Sequence, residues 1–320
     1  MSVYTTIEQN ELESFLLNYS IGELVDFSGI SDGIENTNYF VNTTKGKYVL
    51  TIFEELSTEE LPYFLDLMAF LAEHEVPSAH PIEDNHGHFL RSLKDKPAAL
   101  VVRLSGRGVN NVNVHQCRAL GSNLGKLHAV SHQFSMFRKN PRGPSWWHEM
   151  STKLDKHLSS SERQLLDDEM SFQTQHKRDK LPVGVIHADL FRDNALFEND
   201  ELTGIIDFYY ACNDVQLYDL AITVNDWCSE TNGTLDPSRV SAMLESYISK
   251  RPLLDEEVQA WSVMLRAAAL RFWLSRLHDK HFPKEGEMTH IKDPDVFKDI
   301  LLDRINNTEA YQQLVVEVIN

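Results

Sequence analysis

A short stretch between residues 187 and 208 constrains this chain more than any other, because it places three oxygen-bearing side chains in a fixed order. The sequence reads HADLFRDNALF from His187 and GIIDF from Gly204. Asp189 opens a loop, Asn194 closes it five positions later, and Asp207 ends an apolar strand after a predicted hairpin. A site for phosphoryl transfer needs one carboxylate to orient the attacking hydroxyl and oxygen ligands to hold Mg²⁺. The order of these side chains matches that requirement, with one carboxylate in the loop and an amide and a second carboxylate at opposite ends of the hairpin as oxygen donors.

The first hundred residues are predicted to form short strands with one helix. Apolar or β-branched runs predict strands at 38–42, 47–53, 88–93 and 98–104. Gly46 suits a tight hairpin turn between the first two runs. Apolar residues then recur at helical spacing from Leu61 to Ala72, behind Ser57 and Thr58 as candidate N-caps. These elements predict a small antiparallel-sheet lobe over residues 1–103.

Residues 104–320 are predicted to be mainly helical, with strand, loop and hairpin only around 183–208. Helical patterns cover Val114 to Val130, Trp146 to Leu158, Glu162 to His176, Leu217 to Cys228, Pro237 to Ile248, Glu256 to Leu277 and Asp295 to Ile305. The later patterns have an Asp, Ser or Pro near their start, which is typical of helix N-termini. The fold class is therefore predicted to be α+β, with two lobes and a cleft between them.

The composition excludes several classes of partner. The formal net charge is −18, from 48 acidic and 30 basic residues, and such a field repels nucleic acid backbones and anionic lipid. We therefore expect neither nucleic acid nor a membrane as partner. The three cysteines lack metal-ligand spacing, and the first residues have neither a basic nor an apolar signal region. These features favour a cytoplasmic protein, either a monomer or a homodimer.

The catalytic stretch and its surroundings resemble the protein-kinase-like fold in its aminoglycoside phosphotransferase and choline kinase branch. In this branch the arginine of the protein kinase HRD motif is replaced by a small residue, here Ala188. A β-rich N-lobe, a hinge and a helical C-lobe also follow in the same order, over nearly the whole chain. The resemblance implies an ATP-dependent kinase that uses Mg²⁺. It implies that Asp189 is the catalytic base, that Asn194 and Asp207 bind the metal, and that His187 braces the loop.

Within this branch the chain resembles bacterial homoserine kinases. The resemblance rests on IIDFYYACNDVQLYDLAITVNDWC from Ile205, on RFWLSRL from Arg271, and on HADLFRDN itself. It implies that L-homoserine is the phosphate acceptor, as in threonine biosynthesis. It also implies a substrate pocket between the catalytic loop and the helices that carry Asp226, Trp227 and Arg271.

The charge of an amino-acid substrate suggests which side chains would bind it. Its carboxylate needs a cation, and its ammonium needs an acidic or carbonyl group. Arg192, Arg271 and Arg276 are candidates for the first role, and Asp226 is a candidate for the second. Arg271 and Arg276 are five positions apart, about 140° around a helix, so they do not both point into one pocket. Asp219 is predicted to brace the catalytic loop instead.

The nucleotide side departs from the usual pattern of the fold. The strand YVLTIF carries Thr51 where kinases of this fold carry a phosphate-binding Lys. Residues 31–38 are predicted to cover the phosphates, and the hinge near Leu100 to Leu104 is predicted to bind adenine. The predicted ATP contacts are Gly33, Asn36, Asn38, Thr51, Val102 and Arg103.

Two classes of function therefore stay open. The first is a kinase of a small hydroxylated molecule, with homoserine favoured and choline, methylthioribose or an aminoglycoside as alternatives. The second is a non-catalytic, nucleotide-binding pseudokinase, which the Thr51 substitution suggests. Turnover with a panel of hydroxyl acceptors separates the two classes.

Overall fold

The computed structural model divides the chain into two compact units. The described residues are 4–30, 36–176, 178–283 and 292–319. The first unit comprises Met1–Gly106 with Thr203–Ile206, and the second comprises Arg107–Leu202 with Asp207–Asn320. The first contains an antiparallel sheet with two helices, and the second is mainly helical. The predicted α+β class, with a small sheet lobe and a helical lobe, is confirmed.

The sheet of the first unit has five antiparallel strands in the order β1-β2-β3-β5-β4. They are β1 (Leu24–Gly29), β2 (Thr37–Thr43), β3 (Gly46–Ile52), β4 (Leu90–Leu93) and β5 (Lys96–Val102). The predicted hairpin joins β2 to β3, with Thr43 opposite Gly46 at the turn. Alternation along β2 buries Tyr39 and Val41 in the core of the unit and leaves Asn38 and Phe40 on the opposite face.

Two helices accompany this sheet, whereas the sequence predicted only one, so that prediction was wrong. The additional helix is α1 (Gln9–Leu16), and the predicted helix is α2 (Leu61–Glu73). With only eight residues, α1 is too short for its period to stand out from the sequence. It is held by the core contacts of its apolar face, which consists of Leu12, Phe15 and Leu16.

The start of α2 lies later than its predicted caps. Ser57 and Thr58 precede the helix, and the carbonyl of Ser57 accepts hydrogen bonds from the amides of Glu60 at 3.1 Å and Leu61 at 3.3 Å. This turn leads into the helix, whose first turn contains Pro62. A proline is tolerated there because the first helical N–H groups have no partner within the helix.

The part of the chain after residue 106 forms mostly helices, together with two short strand pairs. Its helices are α3 (Val114–Val130), α4 (Pro144–Leu154), α5 (Ser160–Gln175), α6 (Gln216–Trp227), α7 (Pro237–Ile248), α8 (Asp255–His281), α9 (Pro294–Asn306) and α10 (Thr308–Ile319). The strands are β6 (Val183–Ile186), β7 (Ala195–Glu198), β8 (Glu201–Ile205) and β9 (Cys212–Val215), and β6 pairs with β9 while β7 pairs with β8. Within the described residues, no helix has the length and hydrophobicity needed to cross a bilayer.

Helix α8 is buried over most of its length, including the charged residues Glu257, Arg266 and Arg271. Trp261, Ala268 and Trp273 are fully buried, so the helix passes through the core rather than over it. Arg266 is compensated by buried Glu169, whose Oε2 accepts a hydrogen bond from its Nε at 3.0 Å. A buried arginine needs such a partner because an isolated charge in the interior is strongly destabilising.

Helices α3 and α7 pack closely because α3 carries two glycines at the contact. A Cβ atom at Gly121 would overlap the carbonyl oxygen of Met243 and lie 2.5 Å from Oγ of Ser246. A Cβ atom at Gly125 would lie 2.7 Å from the carbonyl oxygen of Tyr247. The two positions therefore let the helix backbones approach more closely than any side chain would permit.

We predict that Gly121→Ala destabilises the protein. Alanine favours a helix over glycine by about 1 kcal/mol, but the overlap with a backbone carbonyl forces the helices apart, and overpacking costs about 1–3 kcal/mol. The expected net effect is a lower free energy of unfolding, measured by urea denaturation. The control is Ser122→Ala, which adds no atom and is expected to change the free energy by less than about 0.5 kcal/mol. A more stable Gly121→Ala variant would contradict the close packing.

Candidate active site

The loop that follows β6 is fixed by a buried carboxylate on α6. Oδ2 of Asp219 accepts a hydrogen bond from the amide of His187, and Oδ1 accepts one from the amide of Ala188, both at 2.8 Å. Ala188 has a φ of +65°, a backbone conformation that few residues other than glycine adopt. Asp219 is fully buried. The carboxylate therefore satisfies two buried amides and stabilises this unusual turn.

Asp219 is in turn supported by a histidine on α3. Nε2 of His128 lies 3.1 Å from Oδ2 of Asp219, and Nδ1 of His128 lies 2.8 Å from the hydroxyl of Tyr247. Burial opposes ionisation of Asp219, but its hydrogen bonds with His128 and His187 hold its pKa below the ordinary value. Burial lowers the pKa of His128, although Asp219 opposes this shift. A neutral His128 that donates from Nε2 and accepts at Nδ1 fits both contacts.

The predicted base and one predicted metal ligand lie side by side in this loop. The amide of Asp189 donates to Nδ1 of His187 at 3.2 Å, and the His187 ring packs on Phe208 with 4.7 Å between centroids. Nδ2 of Asn194 donates to the carbonyl oxygen of Asp189 at 2.8 Å and to Oδ2 of Asp189 at 3.2 Å. The loop from His187 to Asn194 is thus closed on itself, with the Asp189 carboxylate held by the amide of Asn194.

Asp189 lies in an environment suited to a proton acceptor. Its side chain is 18% exposed, and Nη1 of Arg271 lies 3.9 Å from Oδ1. Burial raises the pKa of Asp189 to about 8, Arg271 lowers it, and the charge of Asp207 raises it. A desolvated carboxylate whose pKa is near neutrality is typical of a general base.

Asp207 and Asn194 have the donor chemistry of a magnesium site. Asp207 is exposed, lies just after β8, and has left-handed backbone angles of φ 63° and ψ 57°. The amide nitrogen of Asn194 is used within the loop, and none of the described residues donates to its Oδ1. Within the same residues, no group of three His, Cys, Asp or Glu side chains could hold a metal ion. These donors therefore fit Mg²⁺ only if phosphate oxygens complete its coordination, as they commonly do.

Two of the predicted substrate contacts, Asp226 and Trp227, support the loop from α6, and a third, Arg192, is the loop residue that Asp226 binds. The amide of Arg192 donates to Oδ2 of Asp226 at 2.9 Å, and its Nε donates to the same atom at 3.2 Å. Trp227 is fully buried, and its Nε1 donates to the carbonyl oxygen of Leu190 at 3.1 Å. The side chains of Asp226 and Trp227 therefore contact the catalytic loop from beneath.

The fourth predicted contact, Arg271, is the arginine that lies beside Asp189, the predicted base. Its side chain is 5% exposed, and it is the group that approaches Asp189. Arg276, five positions later, donates from Nη1 to the carbonyl oxygen of Asp293 at 3.0 Å and stacks on Phe297. The two arginines thus diverge as the helical geometry requires, and Arg276 contacts the start of α9.

Sequence reasoning missed two residues near this site, Arg142 and Tyr210. The guanidinium carbon of Arg142 lies 4.7 Å from the ring centre of Trp146 and 5.6 Å from that of Tyr210. The guanidinium carbon of Arg271 also lies 5.6 Å from the ring centre of Tyr210. Arg142 lies in the irregular segment before α4, where no periodicity indicates which way a side chain points. The feature in the sequence that could have drawn attention to Arg142 is the pair Trp146-Trp147, which follows it four positions later.

The first unit brings part of the predicted nucleotide site to one face of its sheet. The hydroxyl of Thr51 donates to Oδ1 of Asn38 at 2.8 Å, and Nδ2 of Asn38 donates to the carbonyl oxygen of Asn36 at 3.3 Å. Thr51 is buried, and its hydroxyl hydrogen is already donated within the sheet. Gly33 lies outside the described residues.

The predicted hinge residues occupy the end of β5. Val102 is 38% exposed, and its amide donates to the carbonyl oxygen of His80 at 2.9 Å. The guanidinium carbon of Arg103 lies 3.7 Å from the ring centre of Phe40, which shares a strand face with Asn38. Arg103 is therefore a cation on the same face as Thr51, at the opposite end of the sheet.

Comparison with known proteins places the chain among phosphotransferases. The phosphotransferase enzyme family (APH) matches residues 26–279. The chain is 50% identical over 301 residues to a homoserine kinase of Methylobacillus flagellatus, and the match covers 94% of each chain. It is 43% identical over 302 residues to a homoserine kinase of Neisseria meningitidis serogroup B, and that match covers 94% of this chain and 99% of the other.

Solved structures with low sequence identity share the fold. An amicoumacin kinase in complex with AMP-PNP and Ca²⁺ has a TM-score of 0.70 and 19% identity, over 95% of this chain and 94% of the other. A choline kinase from Cryptosporidium parvum has a TM-score of 0.67 and 14% identity, over 98% of this chain and all of the other. These likenesses confirm the predicted protein-kinase-like fold of the aminoglycoside phosphotransferase and choline kinase branch.

We predict that Asp219→Asn destabilises the protein at neutral pH. The amide places an N–H₂ group against one of the two backbone N–H donors, and a buried donor without a partner costs about 1–3 kcal/mol. The free energy of unfolding, measured by urea denaturation, is expected to fall by that amount. The control is Asp200→Asn, because Asp200 is an exposed carboxylate that accepts a hydrogen bond from Asn113. That variant is expected to change the free energy by less than about 0.5 kcal/mol.

The loss of unfolding free energy in Asp219→Asn, here called the deficit, depends on pH in a way that tests the charge of Asp219. The pKa of Asp219 is lowered in the folded protein, so its stabilising contribution is complete above the unfolded pKa of about 3.9. It is lost only as the pH falls through the lower, folded value. The deficit of the variant is therefore expected to persist to pH ~4. A deficit that had already disappeared at pH ~5 would contradict an ionised Asp219.

Proposed function

Because this chain belongs to the phosphotransferase enzyme family, we propose that it is a cytoplasmic kinase that transfers the γ-phosphoryl group of ATP to L-homoserine. The acceptor is the side-chain hydroxyl, and the product is O-phosphohomoserine. The similarity to homoserine kinases over 94% of the chain supports this substrate. The observation that carries the proposal is the buried Arg271 beside Asp189, because it places a cation for the substrate carboxylate next to the base.

The reaction follows from the positions of the loop residues. Asp189 accepts a hydrogen bond from the substrate hydroxyl and takes its proton as the oxygen bonds to the γ-phosphorus. The bond between the γ-phosphorus and the bridging oxygen breaks, and ADP leaves. Asn194 and Asp207 would hold Mg²⁺, which when bound offsets the negative charge of the phosphates. His187 and Asn194 keep the Asp189 carboxylate in place through the amide and side-chain hydrogen bonds described above.

The predicted ATP contacts in the first unit stay part of the proposal. Asn36 and Asn38 offer amide groups, Thr51 offers a hydroxyl, and Val102 and Arg103 offer hinge groups. Thr51 is neutral, so it supplies no charge to the phosphates. Its hydroxyl hydrogen is donated to Asn38 rather than to a phosphate oxygen. Phosphate binding then depends on the metal ion and on other donors. The Thr51 position is also the one observation that favours the pseudokinase alternative, which predicts nucleotide binding without turnover.

The charge of Arg271 distinguishes among the possible acceptors of this fold. Choline and aminoglycosides are cations, and two like charges about 4 Å apart repel by about 4 kcal/mol at an effective dielectric constant of about 20. A repulsion of that size would reduce affinity by roughly a thousandfold. Methylthioribose is neutral and would leave Arg271 without an anionic partner other than Asp189. A zwitterion with a carboxylate fits the site better than any of these.

We predict that Asp189→Asn keeps the fold and most of the nucleotide affinity but reduces homoserine-dependent ADP release by roughly 10²–10⁴-fold, the usual effect of a positioned acid or base. The matched control is Asp193→Asn in the same loop, because Asp193 is exposed and pairs with Lys292. The control is expected to retain turnover within about threefold. Wild-type turnover in Asp189→Asn would remove Asp189 from the mechanism.

A contrasting variant separates the metal role from the base role. Asp207→Ala is expected to abolish Mg²⁺-dependent ATP binding, measured by calorimetry with and without Mg²⁺, because Asp207 is assigned to the metal. Unchanged affinity for Mg-ATP would contradict this assignment. Wild-type turnover on choline or an aminoglycoside, with none on L-homoserine, would replace the proposed substrate, and no turnover on any acceptor would favour the pseudokinase.

A further inference from the structure

We propose that Arg142 and Arg271, which both contact the ring of Tyr210, form a clamp for the carboxylate of the amino-acid substrate. This inference rests on the proposed function and names the side chains that would give it its selectivity. Arg142 comes from the segment before α4, Arg271 from α8, and Tyr210 from the turn after Asp207. Three separate elements of the second unit thus converge beside the catalytic loop.

Arg271 is a buried cation without a close anionic partner among the described residues. Among the described carboxylates, only that of Asp189 lies within 4 Å of its guanidinium, at 3.9 Å, which is too long for a hydrogen bond. The other buried arginines Arg239, Arg266 and Arg304 contact the carboxylates of Asp236, Glu169 and Asp303 respectively. A buried charge that lacks such compensation is destabilising, so a bound anion would improve the environment of Arg271.

Arg142 is similarly uncompensated in the described part of the chain. No described Asp or Glu lies within 4 Å of its guanidinium, and its one side-chain hydrogen bond, to Oγ of Ser275, is long at 3.5 Å. Its guanidinium instead lies over the rings of Trp146 and Tyr210. Aromatic faces hold an arginine side chain in position but leave its N–H groups available to an anion.

Tyr210 fixes the two cations relative to each other. Each guanidinium carbon lies 5.6 Å from the centre of its ring, within the range of a cation–π contact. Each guanidinium presents a planar fork of N–H donors, and a carboxylate has two oxygens that match such a fork. Because both arginines contact the same ring, we assign their N–H donors to the same substrate carboxylate.

A buried hydroxyl near Arg271 also lacks a partner. The side chain of Tyr218 is 2% exposed, and its hydroxyl has no hydrogen-bond partner among the described residues. Burial raises the pKa of Tyr218, and Arg271 is the charge that most opposes this rise. Buried hydroxyls are normally satisfied, so the Tyr218 hydroxyl is an exception within the core of the second unit.

The size of homoserine agrees with this placement. From standard bond lengths, the carboxylate carbon and the side-chain oxygen of the extended molecule lie roughly 5 Å apart. Arg271 lies 3.9 Å from Asp189. A carboxylate bound by the guanidinium therefore leaves the hydroxyl within reach of the base, whereas a much longer acceptor would place its hydroxyl beyond Asp189.

The test compares two acceptors that differ only in the carboxylate. L-homoserine carries it, and 3-aminopropan-1-ol is the same molecule without it. In Arg142→Met we expect the KM for homoserine to rise at least ~10-fold, the scale of one hydrogen bond to a charged group, while the KM for aminopropanol changes less than about threefold. Arg142→Lys should show an intermediate rise for homoserine, because it keeps the charge but loses the fork. The control, Arg118→Met, removes an exposed arginine that pairs with Glu245 and should change neither KM.

Calorimetry with both molecules measures their binding directly, so it tests the clamp independently of phosphoryl transfer. If the wild type binds homoserine but does not phosphorylate it, the proposed function fails and the clamp is still judged by the loss of affinity in Arg142→Met. Equal effects on both acceptors, no effect on homoserine, or no binding of homoserine to the wild type would overturn the clamp. Arg271→Met is expected to show the same selective loss, with thermal unfolding to confirm that this buried variant is folded.

Discussion

The candidate site depends on one buried interaction, the pair of hydrogen bonds from the amides of His187 and Ala188 to the carboxylate of Asp219. These bonds hold Ala188 at a positive φ and so turn the chain sharply after β6. The turn places Asp189 next to Arg271 rather than along the line of the strand. Without a full carboxylate at this position, at least one of the two amides would be left without an acceptor in the core.

Helix α6 contacts the catalytic loop at three positions along the loop, including the pair of hydrogen bonds to Asp219. Asp219 binds its start, the indole of Trp227 binds the carbonyl of Leu190, and Asp226 binds both the amide and the side chain of Arg192. These three side chains support the backbone of the loop. Each of them thereby restricts where Asp189 can lie. The position of the loop that carries the predicted base is therefore set by contacts from one helix.

Much of the site could be predicted from the sequence because its residues are close together along the chain. Asp189 and Asn194 are five positions apart, so they lie within reach of each other once the hydrogen bonds to Asp219 fix the start of the loop. The helices with strong 3.6-residue periods were also predicted, for example α3 and α7. The short α1 was missed because eight residues give little periodic signal, and α10 was not predicted either.

The remaining residues could not be predicted because their positions are set by tertiary contacts. Arg142 meets Tyr210, 68 positions later, through the packing of an irregular segment that has no sequence period. Trp227 was predicted to line the substrate pocket, but helix rotation places its side chain beneath the loop, where it is fully buried. Whether a polar or aromatic residue faces a pocket or the core depends on such rotations, which spacing alone does not determine.

The most direct test asks which oxygen of the acceptor receives the phosphoryl group. The enzyme would be given Mg-ATP and L-homoserine labelled with ¹⁸O in the side-chain hydroxyl, and the product followed by phosphorus NMR and mass spectrometry. Attack by a hydroxyl that Asp189 deprotonates predicts a phosphate monoester that keeps the ¹⁸O in its bridge between carbon and phosphorus. A phosphate on the carboxylate, or ADP with only inorganic phosphate, would contradict it.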